Sequence, residues 1–168
     1  MKYQNVLQGV LFQANWFACV LGGAIWGLAG FTLLSWFSGR VGRLVPDWCA
    51  AGVAALLGLC LDTLWIHMGI LDFAGAPVAP VWILFLWMGV GMSLNHSLGF
   101  FKARPLFGGL LGAMSAPLCY LAGERLGAVV VTDVAMLGLV AAVWFAVFWA
   151  AFAGMAGLVE EADNRSVA

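Results

Sequence analysis

The chain has 168 residues, of which 64% are hydrophobic and only 9% are charged, and its formal net charge is −1. A soluble domain usually carries about a quarter charged residues, so most of the outside of this protein cannot be a water-facing surface. The near-neutral net charge also provides no basic field for nucleic acid, and nucleic-acid binding is not expected. The composition predicts an all-α, polytopic transmembrane helix bundle that forms a single integral membrane domain over residues 1–168.

The first apolar run, residues 6–37, is too long for one comfortable membrane crossing. An α-helix rises about 1.5 Å per residue, and the hydrocarbon core of a bilayer is about 30 Å thick. Gly22 and Gly23 near the middle of the run could form a tight turn between two short helices, the first over residues 5–21. One long, tilted helix is the alternative. We favour the turn and therefore six helices in total, with five as the alternative.

The rest of the chain alternates between apolar runs and polar breaks. A break at Arg40, Arg43 and Pro46-Asp47 precedes a helix from about Trp48 to Ile70, and glycine and prolines indicate a loop over residues 72–80. The later helices are predicted over residues 81–98, residues 105–122 and residues 133–159. Pro117 lies inside the second of these and predicts a kink there.

Positive charge predicts the orientation of the bundle. With six helices, six of the seven basic residues fall on one side: Lys2, Arg40, Arg43, Lys102, Arg104 and Arg165. Cytoplasmic loops carry an excess of Lys and Arg, so both termini are predicted to be cytoplasmic. A five-helix arrangement would move only Lys2 to the other side, so this criterion leaves the alternative open.

Asp62 is the sharpest functional candidate. It lies well inside a predicted helix, with no other charge within four residues on either side. Ionisable groups are costly in hydrocarbon, so each one is a candidate for function by default. Asp62 could bind a proton or a substrate, or it could be a buried acid that hydrogen-bonds a neighbouring helix.

Further polar residues occur in two other apolar runs. Asn95, His96 and Ser97 are consecutive on the predicted fourth helix, where they would point to different faces, so we expect Asn95 or His96 to face inward. Gln13 and Asn15 on the first helix could add hydrogen bonds between helices.

Polar residues also gather at the predicted outer ends of the helices. These residues are His67, Asp72, Glu124, Arg125 and Asp133. They could form the rim of an opening on the outer side. They could equally mark helix ends in the lipid headgroup zone, and both interpretations stay open.

The sequence predicts no cofactor and no metal site. His67 and His96 would lie near opposite ends of antiparallel helices, roughly 20 Å or more apart, so one haem iron cannot bind both. The four cysteines, Cys19, Cys49, Cys60 and Cys119, are scattered singly rather than paired as in zinc or iron–sulfur sites. No hydrolase, kinase or dinucleotide motif with supporting context is present, so catalytic activity stays open.

The last predicted helix is strongly aromatic. It carries Trp144, Phe145, Phe148, Trp149 and Phe152. Packing and lipid contact are the simpler explanation of these side chains, and a ligand-binding aromatic wall is the alternative.

Four groups of motifs together resemble a family of small bacterial inner-membrane proteins that is catalogued only as a domain of unknown function. The matching stretches are Phe12-Gln13 with Trp16–Gly22; Leu61–Trp65 with Gly69–Phe73; Pro80–Trp82, Leu86-Trp87 and Leu94–Leu98; and Ala116–Gly123 with Arg125–Ala128. They span nearly the whole chain.

This resemblance implies a location in the bacterial inner membrane but no established activity. Members of the family are often encoded beside cyclopropane fatty-acid synthase-like methyltransferases, which implies a role in envelope lipid metabolism. We therefore expect an accessory or binding protein whose partners are membrane lipids or a lipid-modifying protein. The alternatives are a small proton-coupled transporter that uses Asp62, an intramembrane enzyme that uses His96 or Asp62 as acid or base, and a scaffolding subunit of a membrane complex.

Overall fold

A computed structural model of the protein describes residues 2–41 and 44–167, and these residues are mostly helical. Its elements are α1 (Lys2–Val41), α2 (Leu44–His67), β1 (Leu71–Asp72), α3 (Val81–Ser93), a 3-10 helix (Gly99–Ala103), α4 (Pro105–Arg125), β2 (Val130–Val131) and α5 (Leu137–Val167). Four of the described helices, α1, α2, α4 and α5, are long and apolar enough to cross a membrane. The predicted all-α membrane bundle is confirmed. Arg43 lies outside the described residues, as do the side chains of Lys2 and Arg165, on which the predicted orientation partly depends.

Helix α1 is broken at Gly23 and folds back on itself. Gly23 has φ 66° and ψ −152°, a conformation that glycine adopts more readily than any residue with a Cβ. A Cβ added to Gly30 would lie 3.1 Å from Asn15 Cα, and one added to Gly27 would lie 2.9 Å from Cys19 Sγ. In a continuous helix Asn15 and Gly30 would be about 22 Å apart. The two segments therefore form a helical hairpin, which is the first of the two alternatives for this run.

The other helix ends differ from the predicted ones for local reasons. Helix α2 ends at His67 because Gly69, with φ 68°, and Ile70 donate hydrogen bonds back to the carbonyl groups of Ile66 and Trp65. This is a Schellman C-cap. Helix α4 continues through Pro117 to Arg125 and ends with the same motif at Gly127, so residues 123–125 are helical rather than part of a turn.

Helix α5 begins later than predicted. Asp133 lies before the helix, where its Oδ1 accepts hydrogen bonds from the backbone N–H groups of Ala135 and Met136. Because a short acidic side chain in this position satisfies backbone donors outside the helix, the regular helix starts only at Leu137.

The chain divides into two compact units. The first consists of residues 1–99 and 123–132, and the second of residues 100–122 and 133–168. In the first unit β1 and β2 pair antiparallel, with Leu71 opposite Val131. The prediction of one integral membrane domain stays a prediction.

In the second unit, glycines of α4 lie against the aromatic side chains of α5. Gly108 is in contact with Phe152, and Gly112 with Phe148, both of which are buried. Trp144 is buried as well, whereas Trp149 is 48% exposed. Most of the aromatic residues of α5 therefore pack within the unit, as the simpler of the two explanations predicts.

Helix α3 is the centre of the first unit. It has 13 residues, about 20 Å of helix, and packs against both α1 and α2. Gly91 lies directly against the backbone of Ala50 and Ala51 in α2, and Gly89 faces Asn15 of α1. Glycine at these positions lets the backbones approach closely, as is usual between helices in membranes.

Replacing Gly91 should therefore loosen the contact between α2 and α3. In Gly91→Ala the new Cβ would lie 2.5 Å from Ala51 Cα, and we expect a loss of about 1–3 kcal/mol of stability from overpacking. Thermal unfolding of the purified protein in detergent measures it. Gly52→Ala is the matched control because no atom lies within 4 Å of its Cβ position, and it should be neutral or stabilising. Equal losses in the two variants would contradict this packing.

The hairpin in α1 predicts the sidedness of three positions. A topology reporter fused at the N-terminus and one fused after residue 42 should report the same side of the membrane, because the chain turns back at Gly23. A reporter fused after residue 76 should report the opposite side, since α2 lies between. If the N-terminus and residue 42 report opposite sides, the hairpin is wrong and α1 crosses the membrane once.

Candidate functional site

One face of α2 carries two buried carboxylates. The buried positions of this helix follow a spacing of three and four residues, which places them on one face: Asp47, Ala51, Ala55, Gly58, Asp62 and Trp65. Asp47 is 1% exposed and Asp62 is 0% exposed. They are fifteen residues apart, about 22 Å along the helix axis, with small side chains between them.

Asp62 is held by α3. The indole Nε1 of Trp87 donates a hydrogen bond to Asp62 Oδ2 at 2.7 Å. Gly58, one turn earlier on α2, is in contact with the same indole ring, so the absence of a side chain there leaves room for the ring to reach the carboxylate. The structure thus places Asp62 at a contact between two helices.

Asp47 receives two side chains from the turn that follows α3. Asn95 Nδ2 donates to Asp47 Oδ1 at 2.7 Å, and His96 Nε2 lies 2.7 Å from Asp47 Oδ2. The predicted helix over residues 81–98 is wrong here, because α3 ends at Ser93 and residues 94–98 form turns. Since the turn changes the direction of successive side chains, both Asn95 and His96, of which at least one was expected to face inward, face the same carboxylate.

Gln8 is a site residue that the sequence interpretation missed. It is 1% exposed; its Nε2 donates to Ser93 Oγ at 3.0 Å, and its Oε1 accepts the backbone N–H of Ser97 at 3.3 Å. Gln13, which the sequence singled out instead, is exposed. The available signal was spacing: Gln8 and Asn15 are seven residues apart and share one helix face, whereas Gln13 lies on another.

Asn15 ties the same segment of α1 to α3, about two turns further along from Gln8. Its Nδ2 donates to the carbonyl oxygen of Phe85 at 3.3 Å, and its side chain is fully buried. Helix α3 is therefore bonded to α1 and α2 at two levels. Asn15 and Asp62 bond its middle, whereas Gln8 and Asp47 bond its C-terminal end and the turn that follows it.

Ser38 belongs to the same end of the unit as Asp47. Phe31, Leu34, Ala51 and Met92 form one packed cluster, and Ser38 follows Leu34 by four residues on the same helix face. Asp47 precedes Ala51 by four residues, and His96 follows Met92 by four, so all three polar residues lie about one turn beyond the cluster in the same direction. Ser38 is buried, and its Oγ has no hydrogen-bond partner among the described residues.

These residues form what we term the polar layer: Gln8, Ser38, Asp47, Ser93 and His96. They are five of the seven buried polar or charged residues in the described part of the chain, the others being Asn15 and Asp62. Polar groups are therefore concentrated at one end of the first unit, with Asp62 standing further along α2.

The residues of the suspected outer rim act mainly as local hydrogen-bond partners. Glu124 Oε1 accepts the backbone N–H of Val131 at 2.8 Å, and Asp72 Oδ1 accepts that of Gly75 at 2.6 Å. Asp133 caps the start of α5, while His67 and Arg125 are exposed at the ends of α2 and α4. This geometry favours the second interpretation, in which these residues mark helix ends.

The two histidines lie far apart. His67 ends α2, whereas His96 is bound to Asp47 at the beginning of the same helix, twenty residues or about 30 Å away. They cannot share one haem iron. Among the described residues no group of three or more His, Cys, Asp and Glu side chains could hold a metal ion.

The buried ionisable side chains of the site are Asp47, Asp62 and His96, and carboxyl and imidazole groups can take up and release protons. His96 meets Asp47 through Nε2, which leaves Nδ1 as the ring nitrogen that can exchange a proton. A carboxylate fixes the orientation and the tautomer of an imidazole in this way in many enzymes. Asp62, in contrast, is bonded by the indole of Trp87, which only donates.

Removing the carboxylate of Asp47 should destabilise the protein strongly. In Asp47→Ala the side chains of Asn95 and His96 lose their acceptor while they stay buried or half-buried, and breaking such a pair costs about 3–5 kcal/mol. Thermal unfolding in detergent measures this. His96→Ala in the Asp47→Ala background should cost much less than His96→Ala alone. Additive losses would contradict a direct interaction between the two side chains.

A family model described as "Protein of unknown function (DUF2878)" matches residues 5–155, which include every residue of the polar layer and Asp62. The resemblance to a domain of unknown function is thereby confirmed. No curated protein and no solved structure matches the chain.

Proposed function

The chain belongs to the DUF2878 family of proteins of unknown function, and from its two buried carboxylates we propose that it is a small proton-coupled carrier of the bacterial inner membrane. In this proposal Asp62 and the pair formed by Asp47 and His96 are the groups that bind and release the coupled proton. The observation that carries the proposal is the position of both carboxylates on the buried face of one apolar helix.

The cost of burying these carboxylates supports a functional role. A buried ionic or polar group can often be replaced by a well-packed apolar side chain with no loss of stability, so packing alone does not require Asp at either position. Ionisable residues inside membrane-spanning helices commonly belong to ion or proton pathways. Two of them on one helix face, about 22 Å apart, stand at well-separated depths of a core about 30 Å thick.

The hydrogen-bond partners of the carboxylates are compatible with gain and loss of a proton. An indole N–H donates to a carboxyl oxygen whether or not that group carries a proton, so Trp87 can stay bonded to Asp62 in both states. The amide of Asn95 does the same for Asp47, while His96 can take or give the proton.

The role in envelope lipid metabolism stays a prediction. The aromatic side chains of α5 that could have bound an acyl chain pack largely within the second unit. The contacts of the described residues therefore favour proton coupling over lipid handling. An accessory partner that modifies lipids is compatible with a carrier and would act on the same membrane.

Asp62→Asn tests the carrier directly. The purified protein is reconstituted into vesicles that contain a pH-sensitive dye, and a mixture of small polar metabolites is added outside as a source of the coupled solute. A potassium gradient with valinomycin drives proton entry. We expect entry into vesicles with the native protein to exceed that into protein-free vesicles, and Asp62→Asn to reduce it to the protein-free rate. The asparagine keeps an oxygen that accepts the Trp87 hydrogen bond, so the variant should fold and insert normally.

Asp72→Asn is the matched control for this experiment. It makes the same chemical change outside the buried face of α2, and asparagine can still accept the hydrogen bond from Gly75. Proton entry should then equal that of the native protein. A native rate no higher than that of protein-free vesicles would overturn the proposal, and so would an undiminished rate in a correctly inserted Asp62→Asn protein.

A further inference from the structure

One buried hydrogen-bond donor near Asp62 has no acceptor within the described residues of the first unit. Trp65 is 1% exposed, and its indole Nε1 has no hydrogen-bond partner within residues 2–41 and 44–167. An indole N–H can only donate, so it must find an acceptor or remain unsatisfied. Buried polar groups in native proteins are nearly always bonded, and each exception calls for an explanation such as an ordered water or a ligand.

The register of α2 places Trp65 beside Asp62. The two residues are three positions apart on the same buried face. Long side chains in an α-helix lean towards its N-terminus, which is the direction of Asp62 from Trp65. Trp87 approaches the same carboxylate from α3. One indole is thus bonded to the carboxylate, and a second lies about one turn further along the same face of α2 with its N–H unbonded.

The segment that follows α2 covers the region around Trp65. Ile70, Leu71 and Phe73 follow α2 and are all buried, and the pairing of β1 with β2 holds this segment in position. Thr63 Oγ1 also accepts the backbone N–H of Ala79, which fixes the chain just before α3. An acceptor that reaches Trp65 Nε1 is therefore held inside the protein and shielded from bulk solvent.

We propose that Trp65 Nε1 is the second hydrogen-bond donor of the Asp62 site and binds an oxygen acceptor of a guest molecule. The guest lies next to the Asp62 carboxyl group and exchanges a proton or a hydrogen bond with it. Two sources provide this chemistry, an ordered water that relays the proton and a carbonyl or carboxylate oxygen of the carried solute. Only the second source, a carried solute, rests on the proposed function; the ordered water does not.

Nitrogen-15 NMR of the tryptophan side chains tests this assignment. The native protein is labelled at the indole nitrogens and measured in detergent micelles, and Trp65→Phe and Trp87→Phe identify the two resonances by their loss. We expect the Trp65 N–H to resonate in the hydrogen-bonded range, like that of Trp87, and to exchange slowly with deuterium. A resonance at the position of an unbonded indole in every condition tested overturns the proposal.

Three conditions separate the sources of the acceptor. A bonded Trp65 resonance with magnetisation transfer from water, in buffer alone, assigns an ordered water. A resonance that becomes bonded only with acetate or only with acetamide assigns a carboxylate or an amide carbonyl of a solute. In both cases Trp65→Phe should lower proton entry into vesicles about tenfold, the factor that corresponds to one hydrogen bond of about 1.4 kcal/mol.

Trp149→Phe is the matched control, because Trp149 is about half exposed and lies in the second unit. It should leave both the Trp65 resonance and proton entry unchanged. If Trp65 is bonded but native vesicles show no proton entry, the second donor is correct and the carrier is wrong. If Asp62→Asn stops proton entry while Trp65→Phe behaves like the native protein and its N–H is unbonded, the carrier stands and the second donor is wrong.

Discussion

The architecture of the first unit depends on one short helix that is bonded to its neighbours at its middle and at its C-terminal end. Helix α3 has 13 residues and lies between the hairpin of α1 and helix α2. A membrane interior offers few hydrogen-bond partners. Polar side chains of α1 and α2 therefore make their hydrogen bonds to α3 and to the turn that follows it. Asn15 and Asp62 are bonded to α3 itself, while Gln8 and Asp47 bond its last residue, Ser93, and the turn that follows it. Glycines at the contacts let the helices approach closely enough for these bonds to form.

The helical framework and the break at Gly23 could be predicted from the sequence, because both follow from local properties. Runs of apolar residues define the helices, and a pair of glycines in the middle of an overlong run allows a turn. The partners could not be predicted in this way. Asp47 looked like part of a polar break between helices, since it follows Pro46 and precedes the apolar run. Its burial becomes visible only when the turn after α3 returns to the beginning of α2.

Gln8 and Gln13 of α1 show the same difference between what composition and tertiary contacts reveal. Both are polar residues in an apolar helix, and composition does not distinguish between them. Their helical phase does, because Gln8 shares a face with Asn15 and Gln13 does not. At the outer ends of the helices, Asp72 and Asp133 did not need to be considered as residues of a rim. Short acidic side chains commonly accept hydrogen bonds from backbone N–H groups two or three residues later, as both of these do. Their role as caps follows from local sequence without any tertiary contact.

The attachment of α3 at its middle and at its C-terminal end also bears on the choice between a scaffold and a carrier. A scaffold gains from fixed contacts, and apolar side chains provide these without the cost of burying carboxyl groups. In this protein one acid of α2 is bonded to the middle of a short helix, and the other is bonded to the turn that follows that helix. In the proposed carrier, a change in protonation at Asp62 would alter the strength of its bond to Trp87, which belongs to α3. Coupling to Asp47 requires a packed element that both acids contact, and α3 with the turn that follows it is bonded to both.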